Sequence, residues 1–332
     1  MMPMSEPGRR HHLVPRFLLR RCANEDERLI AYDRANGGRR VVLSVSDATV
    51  QCGFYDVPAG DGMSGEIEDA LGQLESMAAP IVSKLAATGL HDLSERDRYR
   101  LCVFMGMQLV RGADFTEAAF ASIAAHDQLR DEAATPDVQE RVAQLLGVPA
   151  GAVGDPEEVA GSPSAESAPP EWWVRTAGLA VVSQQIAEMF WVRRWVMLSV
   201  PNPGLLTSDR PIVLFRSDGA DGEPTGFVNA DLVIMPVSRT NALLMLDASF
   251  DITDHWADTQ TLVDAINRIV AVSSYRWVFH HPDDSLPNGL VLPEKVKAAH
   301  ADPIEIIKDG DLVRVRSRVI PSLPTPPLGW HL

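Results

Sequence analysis

The chain has 332 residues, of which 45% are hydrophobic and 23% charged, values of a folded globular protein that exclude a mainly disordered or fibrous one. Its formal charge of −15 repels phosphate backbones on average and argues against a general nucleic-acid binder, although residues 1–40 run the other way, with nine arginines against five acidic side chains. Three cysteines, Cys22, Cys52 and Cys102, form neither a Cys-x-x-Cys pair nor an even framework, and they read as reduced thiols of a cytoplasmic protein.

Along the chain, Arg9–Arg21 has the basic flanks of an export signal, but Pro15 and Arg16 break its apolar run, so no signal is expected there. No stretch approaches the ~20 apolar residues that span a bilayer, and no membrane partner is expected. Leu29–Asp33 and Arg40–Val45 read as strands joined by Asn36-Gly37-Gly38, which supplies hairpin turn chemistry. Ser64 is expected to cap a helix with Ile67, Leu71, Leu74, Ala78 and Leu85 on one stripe and a kink at Pro80. Ser94 and Asp97 open a second helix running through Leu101, Phe104, Met105 and Phe115, and a third lies around Val138–Leu146.

The stretch 151–170 is rich in Gly, Pro, Ala and Ser and reads as a flexible loop or linker. Helical spacing returns over Trp172–Phe190. Short apolar runs follow at Trp195–Val200, Ile212–Phe215, Leu232–Met235 and Ala242–Leu246, then a helix over 258–274 and strands at Trp277–Phe279 and Leu312–Val319. Segregated runs of this kind predict an α+β fold: an N-terminal arm and small hairpin, a helical bundle-like first half, and a strand-rich second half with one long helix. The division expected is an arm, hairpin and helical region over 1–150, the linker, a mixed region over 171–320 packed on the first, and an irregular tail over 321–332.

Four clusters could carry chemistry. In His11-His12-Leu13-Val14-Pro15-Arg16, neighbouring side chains of an extended segment point to opposite faces, so one imidazole enters any site while Arg16 can hold an anion. Glu68 and Glu75 are two helical turns apart on one flank, where paired carboxylates could bind a metal or act as acid and base. Gln108 and Arg111 fall on the apolar stripe of the second helix and need partners, for which Glu68, Glu75 and Asp209 are the candidates. Ser208-Asp209-Arg210-Pro211 puts Asp209 at a strand end, where binding residues often lie and where a plain Asx-turn is the bland alternative. Nucleotide-binding glycine loops, His-Glu-x-x-His, Gly-x-Ser-x-Gly and Cys-rich knuckles are missing, so the sequence names neither a cofactor nor a metal.

The ordered segments HHLVPRFLLRRCA, EIEDALGQLES, QLVRGADF, LLTSDRPIVLF and LVIMPVSRTNALLML resemble the bacterial family catalogued as domain of unknown function 4238, over about His11 to His281. Leu13 stands where that family has an aromatic residue after the histidine pair. The resemblance implies no activity, but it implies that His11, His12, Arg16, Glu68, Glu75, Gln108, Arg111, Ser208 and Asp209 belong to shared motifs. Two functions are open at this point. One is a hydrolase of a phosphate-containing or other anionic substrate, with His12, Glu68 and Asp209 catalytic and Arg16, Gln108, Arg111 and Ser208 binding a small anionic ligand. The other is a non-catalytic binding or regulatory protein in which the same residues form a buried polar network.

Overall fold

The computed structural model describes residues 9–59, 62–149, 169–200, 204–217, 225–256, 258–286, 290, 292, 299–309 and 312–320. The expected linker lies outside the described residues over 151–168, as does the expected tail. Two units divide the chain, one drawing on Met1–Phe115 and Trp172–Lys295, the other on Thr116–Glu171 and Val296–Leu323. Every candidate residue lies in the first unit.

That unit opens with β1 (Arg10–His12), paired antiparallel with β4 (Val50–Cys52). Alternation along β1 turns His11 inward, 1% exposed, and leaves His12 half-buried. Pro15 leads the chain into α1 (Arg16–Leu19), whose Leu18 and Leu19 join Leu13 and Val14 in the core, so the arm is a packed part of the fold. Strands β2 (Arg28–Asp33) and β3 (Arg39–Ser44) form the expected hairpin, with Gly37 at φ 62° and Gly38 at φ 74°, where a side chain would be strained.

After a small ribbon of β5 (Val57–Ala59) and β6 (Gly62–Ser64) comes α2 (Glu66–Thr88), one continuous helix through Pro80 that buries Leu71, Ala78, Ile81, Val82 and Leu85. The cap is Gly65 and not Ser64, which ends β6, although Ser64 Oγ accepts the Glu66 N–H at 3.2 Å. Helix α3 (Glu95–Val110) is capped as expected, Ser94 Oγ accepting from Asp97 N at 3.1 Å.

The expectation that this helix continues to Phe115 fails at Arg111-Gly112, where α3 stops and α4 (Ala113–Ala133) begins. The Asp114 carboxylate folds back over the break, and a Cβ at Gly112 would lie 2.0 Å from its Oδ1. The predicted helix over Trp172–Phe190 is also interrupted, into α6 (Glu171–Ala177), a π-helical stretch Gly178–Val182 and α7 (Ser183–Trp191). Helices α3 and α7 meet closely at Gly106, where a Cβ would be 2.3 Å from the Ser183 carbonyl oxygen.

The second half is built on an antiparallel sheet of order β7-β11-β10-β9, made of β7 (Arg194–Ser199), β9 (Val213–Phe215), β10 (Leu232–Pro236) and β11 (Asn241–Leu246). Its side chains alternate between two cores. Val233, Met235, Leu243 and Met245 pack with the arm and the helices, while Leu232, Ile234, Leu244 and Leu246 pack with α8 (Thr259–Ser273). Burial on both faces explains why these strands read as unbroken apolar runs. A second antiparallel sheet, β3-β2-β12-β8, adds β8 (Thr207–Ser208) and β12 (Trp277–His280), and β8 sets Asp209 directly after an edge strand.

The other unit contains α5 (Pro136–Leu146), ended by Gly147 at φ 74°, and a ribbon of β13 (Ala299–Asp309) and β14 (Leu312–Ile320), of which β13 was not foreseen. The fold is α+β, with helices dominating the first half and antiparallel strands plus one long helix the second. Among the described residues no helix is long and apolar enough to cross a membrane.

Candidate functional site

Arg111 occupies the break after α3, and its side chain turns into the protein, leaving the residue 2% exposed. A charge so buried must be fully partnered. Its Nε donates to Tyr55 Oη at 3.0 Å, one terminal nitrogen donates to Glu75 Oε1 at 2.5 Å, and the other donates to the backbone carbonyl of His12. Tyr55 returns its hydroxyl proton to the Arg111 carbonyl at 3.1 Å, capping an acceptor that the end of α3 leaves over. Burial alone would lower the Arg111 pKa; Tyr55 and Glu75 outweigh it and hold the group charged. Burial pushes the Tyr55 phenol up to about 12, so it stays a neutral donor.

One turn earlier on α3, Gln108 Nε2 donates to the Leu13 carbonyl at 2.7 Å. The arm is held from its other side by Thr49, whose carbonyl accepts from Leu13 N at 3.1 Å and whose Oγ1 accepts from Val14 N at 3.2 Å. Thr49 sits at φ 60°, a conformation rare for a β-branched residue, kept there by what it holds.

The two histidines part company. His11 Nδ1 accepts the Tyr55 backbone N–H at 2.9 Å, which places the ring proton on Nε2, 3.6 Å from Asp56 Oδ1. A ring in that tautomer has no lone pair on Nε2 for a metal. Among the described residues, moreover, no group of three or more His, Cys, Asp or Glu could hold one. His12 is half-buried, with its ring Nε2 3.2 Å from the Ser46 carbonyl oxygen. Burial lowers its pKa, and the Arg16, Arg10 and Arg111 charges add to that effect. Arg16 itself is exposed. Glu68 leaves the Arg111 pairing to Glu75; its Oε2 is buried without a hydrogen-bond partner among the described residues, and burial raises its pKa against the pull of Arg111 and His11.

Ser208 and Asp209 are occupied locally. Ser208 Oγ donates to the Arg210 carbonyl at 2.9 Å and accepts from Arg210 N at 3.1 Å. The Asp209 carboxylate accepts the backbone N–H groups of Tyr275, Arg276 and Trp277 at 2.9, 2.7 and 2.9 Å. Burial nevertheless pushes its pKa up to about 6 against those three donors, with the nearby Asp114 charge adding to the rise. Arg210 pairs with Asp114. Gln108, Asp114, Asp209 and Arg210 together line a small, water-sized recess walled by Leu13, Leu109, Gly112 and Ile212.

The shared-motif residues thus fall into three adjoining places. Arg111, Glu75, His11 and the carbonyl of His12 form the inner network, the His12 ring lies by Ser46 with Arg16 exposed, and Gln108 and Asp209 both line the recess. Arg111 and Asp209 take different partners. Tyr55, Asp56, Asp114 and Arg210 were not foreseen. Arg210 had a signal, its place beside Asp209 in a shared motif, whereas nothing in the spacing around Tyr55 marks it as the partner of a residue 56 positions away.

Residues 10–284 match the family model described as Protein of unknown function (DUF4238). The chain belongs to this family. Its DUF4238 region contains the whole arm, the Arg111 network and the recess. Neither the curated proteins nor the solved structures gave a match to the chain.

Proposed function

We propose that this DUF4238 chain is a cytoplasmic binding or regulatory protein, and that its shared polar residues are architecture, a buried network locking the N-terminal arm onto α2 and α3. The observation that carries this reading is the closure of Arg111. Each guanidinium nitrogen already has a partner inside the protein, whereas an arginine that stabilises a transition state presents its donors where charge develops. His11 and Asp209 support the reading in the same way. One ring nitrogen of His11 and the whole carboxylate of Asp209 accept backbone N–H groups, and a general base must instead reach the proton it takes. Free, unpaired Cys22, Cys52 and Cys102 fit a reducing compartment.

The second reading, a hydrolase of a phosphate-containing or other anionic substrate, draws on His12 and Arg16. If His12 donates through Nε2 to Ser46, its Nδ1 carries a free lone pair at near-neutral pH. Arg16 is exposed, makes no ion pair or side-chain hydrogen bond among the described residues, and its charge acts on His12.

Arg111→Ala and His12→Ala separate the two when each is assayed for trypsin cleavage within Arg9–Arg21 and for turnover of simple phosphate esters. The lock requires Arg111→Ala to open the arm to trypsin and His12→Ala to leave it closed, with no turnover in the wild type. Wild-type turnover that His12→Ala abolishes would replace the first reading with the second.

A further inference from the structure

Helices α3 and α7 run antiparallel. Gly106 of α3 packs on Ser183 at the start of α7, and Arg98 near the start of α3 stacks on Trp191 at the end of α7. The Arg98 guanidinium carbon lies 4.6 Å from the Trp195 ring centre and 5.7 Å from that of Trp191, and the Tyr99 ring meets Trp191 edge-on at 5.8 Å. Arg111, Arg210, Arg239 and Arg276 each reach a carboxylate, those of Glu75, Asp114, Asp284 and Asp33. Arg98 makes no ion pair or hydrogen bond among the described residues; its Nε is buried, and its two terminal nitrogens reach solvent. The indole rings therefore hold a charged fork in place with its outer donors unused.

Apolar surface gathers at the same corner. Tyr99 is 40% exposed, and Val192, next after Trp191, and Val228 are, at 80% and 71%, the most exposed large hydrophobic side chains among the described residues. Arg193 reaches the Phe227 carbonyl and so brings Val228 towards the end of α7. Single exposed valines need no explanation, but Tyr and Trp gathered around an arginine beside them have the composition of an interface centre. Charge then selects the partner. Glu188, one turn before Trp191 on α7, is exposed and also makes no ion pair or hydrogen bond among the described residues. The corner thus carries one free cation and one free carboxylate of its own, and a surface of that kind is complementary to a second copy of itself across a twofold axis.

We infer that the chain forms a homodimer through this corner, each Arg98 pairing with Glu188 of the partner subunit and Tyr99, Val192 and Val228 packing about the twofold axis. A net charge of −15 makes two copies repel elsewhere, so the contact needs such a crossed pair of opposite charges. No residue of the arm lock takes part, and the dimer stands apart from that reading.

The test is analytical ultracentrifugation of the full chain over a range of concentrations, with circular dichroism to confirm that each variant folds. The wild type should sediment as a dimer in reversible exchange with monomer. Glu188→Arg and Val192→Glu, both at exposed positions, should each weaken dimerisation by roughly tenfold or more, because a like-charge contact or an unpaired buried charge then occurs twice in the interface. Arg98→Glu should do the same, and the double variant Arg98→Glu/Glu188→Arg should restore the dimer, since the crossed pair is rebuilt with its signs exchanged. If Arg98→Glu does not fold, the two exposed-site variants still decide the matter. A wild type that stays monomeric up to its solubility limit would overturn the inference and leave the corner to a partner of another kind. A dimer that Glu188→Arg and Val192→Glu leave intact would overturn it too, by placing the contact elsewhere.

Discussion

Arg111 and Gln108, one turn apart at the end of α3, take two consecutive carbonyls of the arm, those of His12 and Leu13. A helix end therefore reads the backbone of a segment almost a hundred residues earlier. The grip depends on main-chain position, so it fixes the register of the arm whatever the side chains of His12 and Leu13 do. It also explains how a short strand, β1, remains docked.

The arm should be indispensable to folding. Removing residues 1–20 takes away Leu13, Val14, Leu18 and Leu19, all buried, each contributing roughly 1.5–3 kcal/mol against a typical total of about 5–15 kcal/mol. The truncated chain should lose its cooperative thermal transition. A melt at the wild-type midpoint would show the arm to be dispensable.

Gly106→Ala tests the approach of α3 to α7. The added methyl would meet the Ser183 carbonyl oxygen at 2.3 Å, a backbone atom that cannot swing aside, so the helices must separate at a cost of about 1–3 kcal/mol. Chemical denaturation should show that loss with an unchanged m-value. A gain in stability, the usual result of Gly→Ala in an open helix, would mean that the helices do not meet there.

Asp209 and Asp33 should respond to pH in opposite senses. Asp209 has its folded pKa raised to about 6, chiefly by burial, while an unfolded aspartate titrates near ~3.9. Across that window the folded state keeps a proton that the unfolded chain has released, so this residue's contribution to stability declines as pH rises and is level above it. Asp33 is held below the usual carboxylate range by its hydrogen bonds from Arg276. Its contribution is present above the unfolded pKa and is lost as pH falls through the folded one. Carboxyl-carbon NMR titration should give a midpoint near 6 for Asp209 and one below the unfolded value for Asp33. Two ordinary midpoints would contradict both environments.

Much of this fold was legible where local chemistry decides it. Asn36-Gly37-Gly38 specifies a hairpin, Ser94 a helix start, and the apolar runs at β10 and β11 the centre of a sheet. The break after α3 was hidden because the residues around it keep a helix-compatible pattern, and the return of Asp114 over Gly112 has no signal in that pattern. The candidate site was legible in its residue types and not in its pairing. Glu68 and Glu75 are equivalent by helical spacing, and tertiary distance gives Arg111 to Glu75. Alternation says that one histidine of the pair turns inward, and the pairing of β1 with β4, which has no local signal, makes it His11.

Hydrogen exchange on Arg111→Ala measures whether Arg111 locks the arm. The substitution strands Glu75, which is about a quarter exposed, and leaves Tyr55 Oη and the His12 carbonyl without their donor. The expected cost is about 3 kcal/mol, reduced by whatever water reaches Glu75. Exchange should be faster at the Leu13 and Val14 amides, which bond to Thr49, with the β10 and β11 amides changing only by the global loss of stability. Unchanged protection of Leu13 and Val14 in a variant that remains as stable as the wild type would contradict the lock.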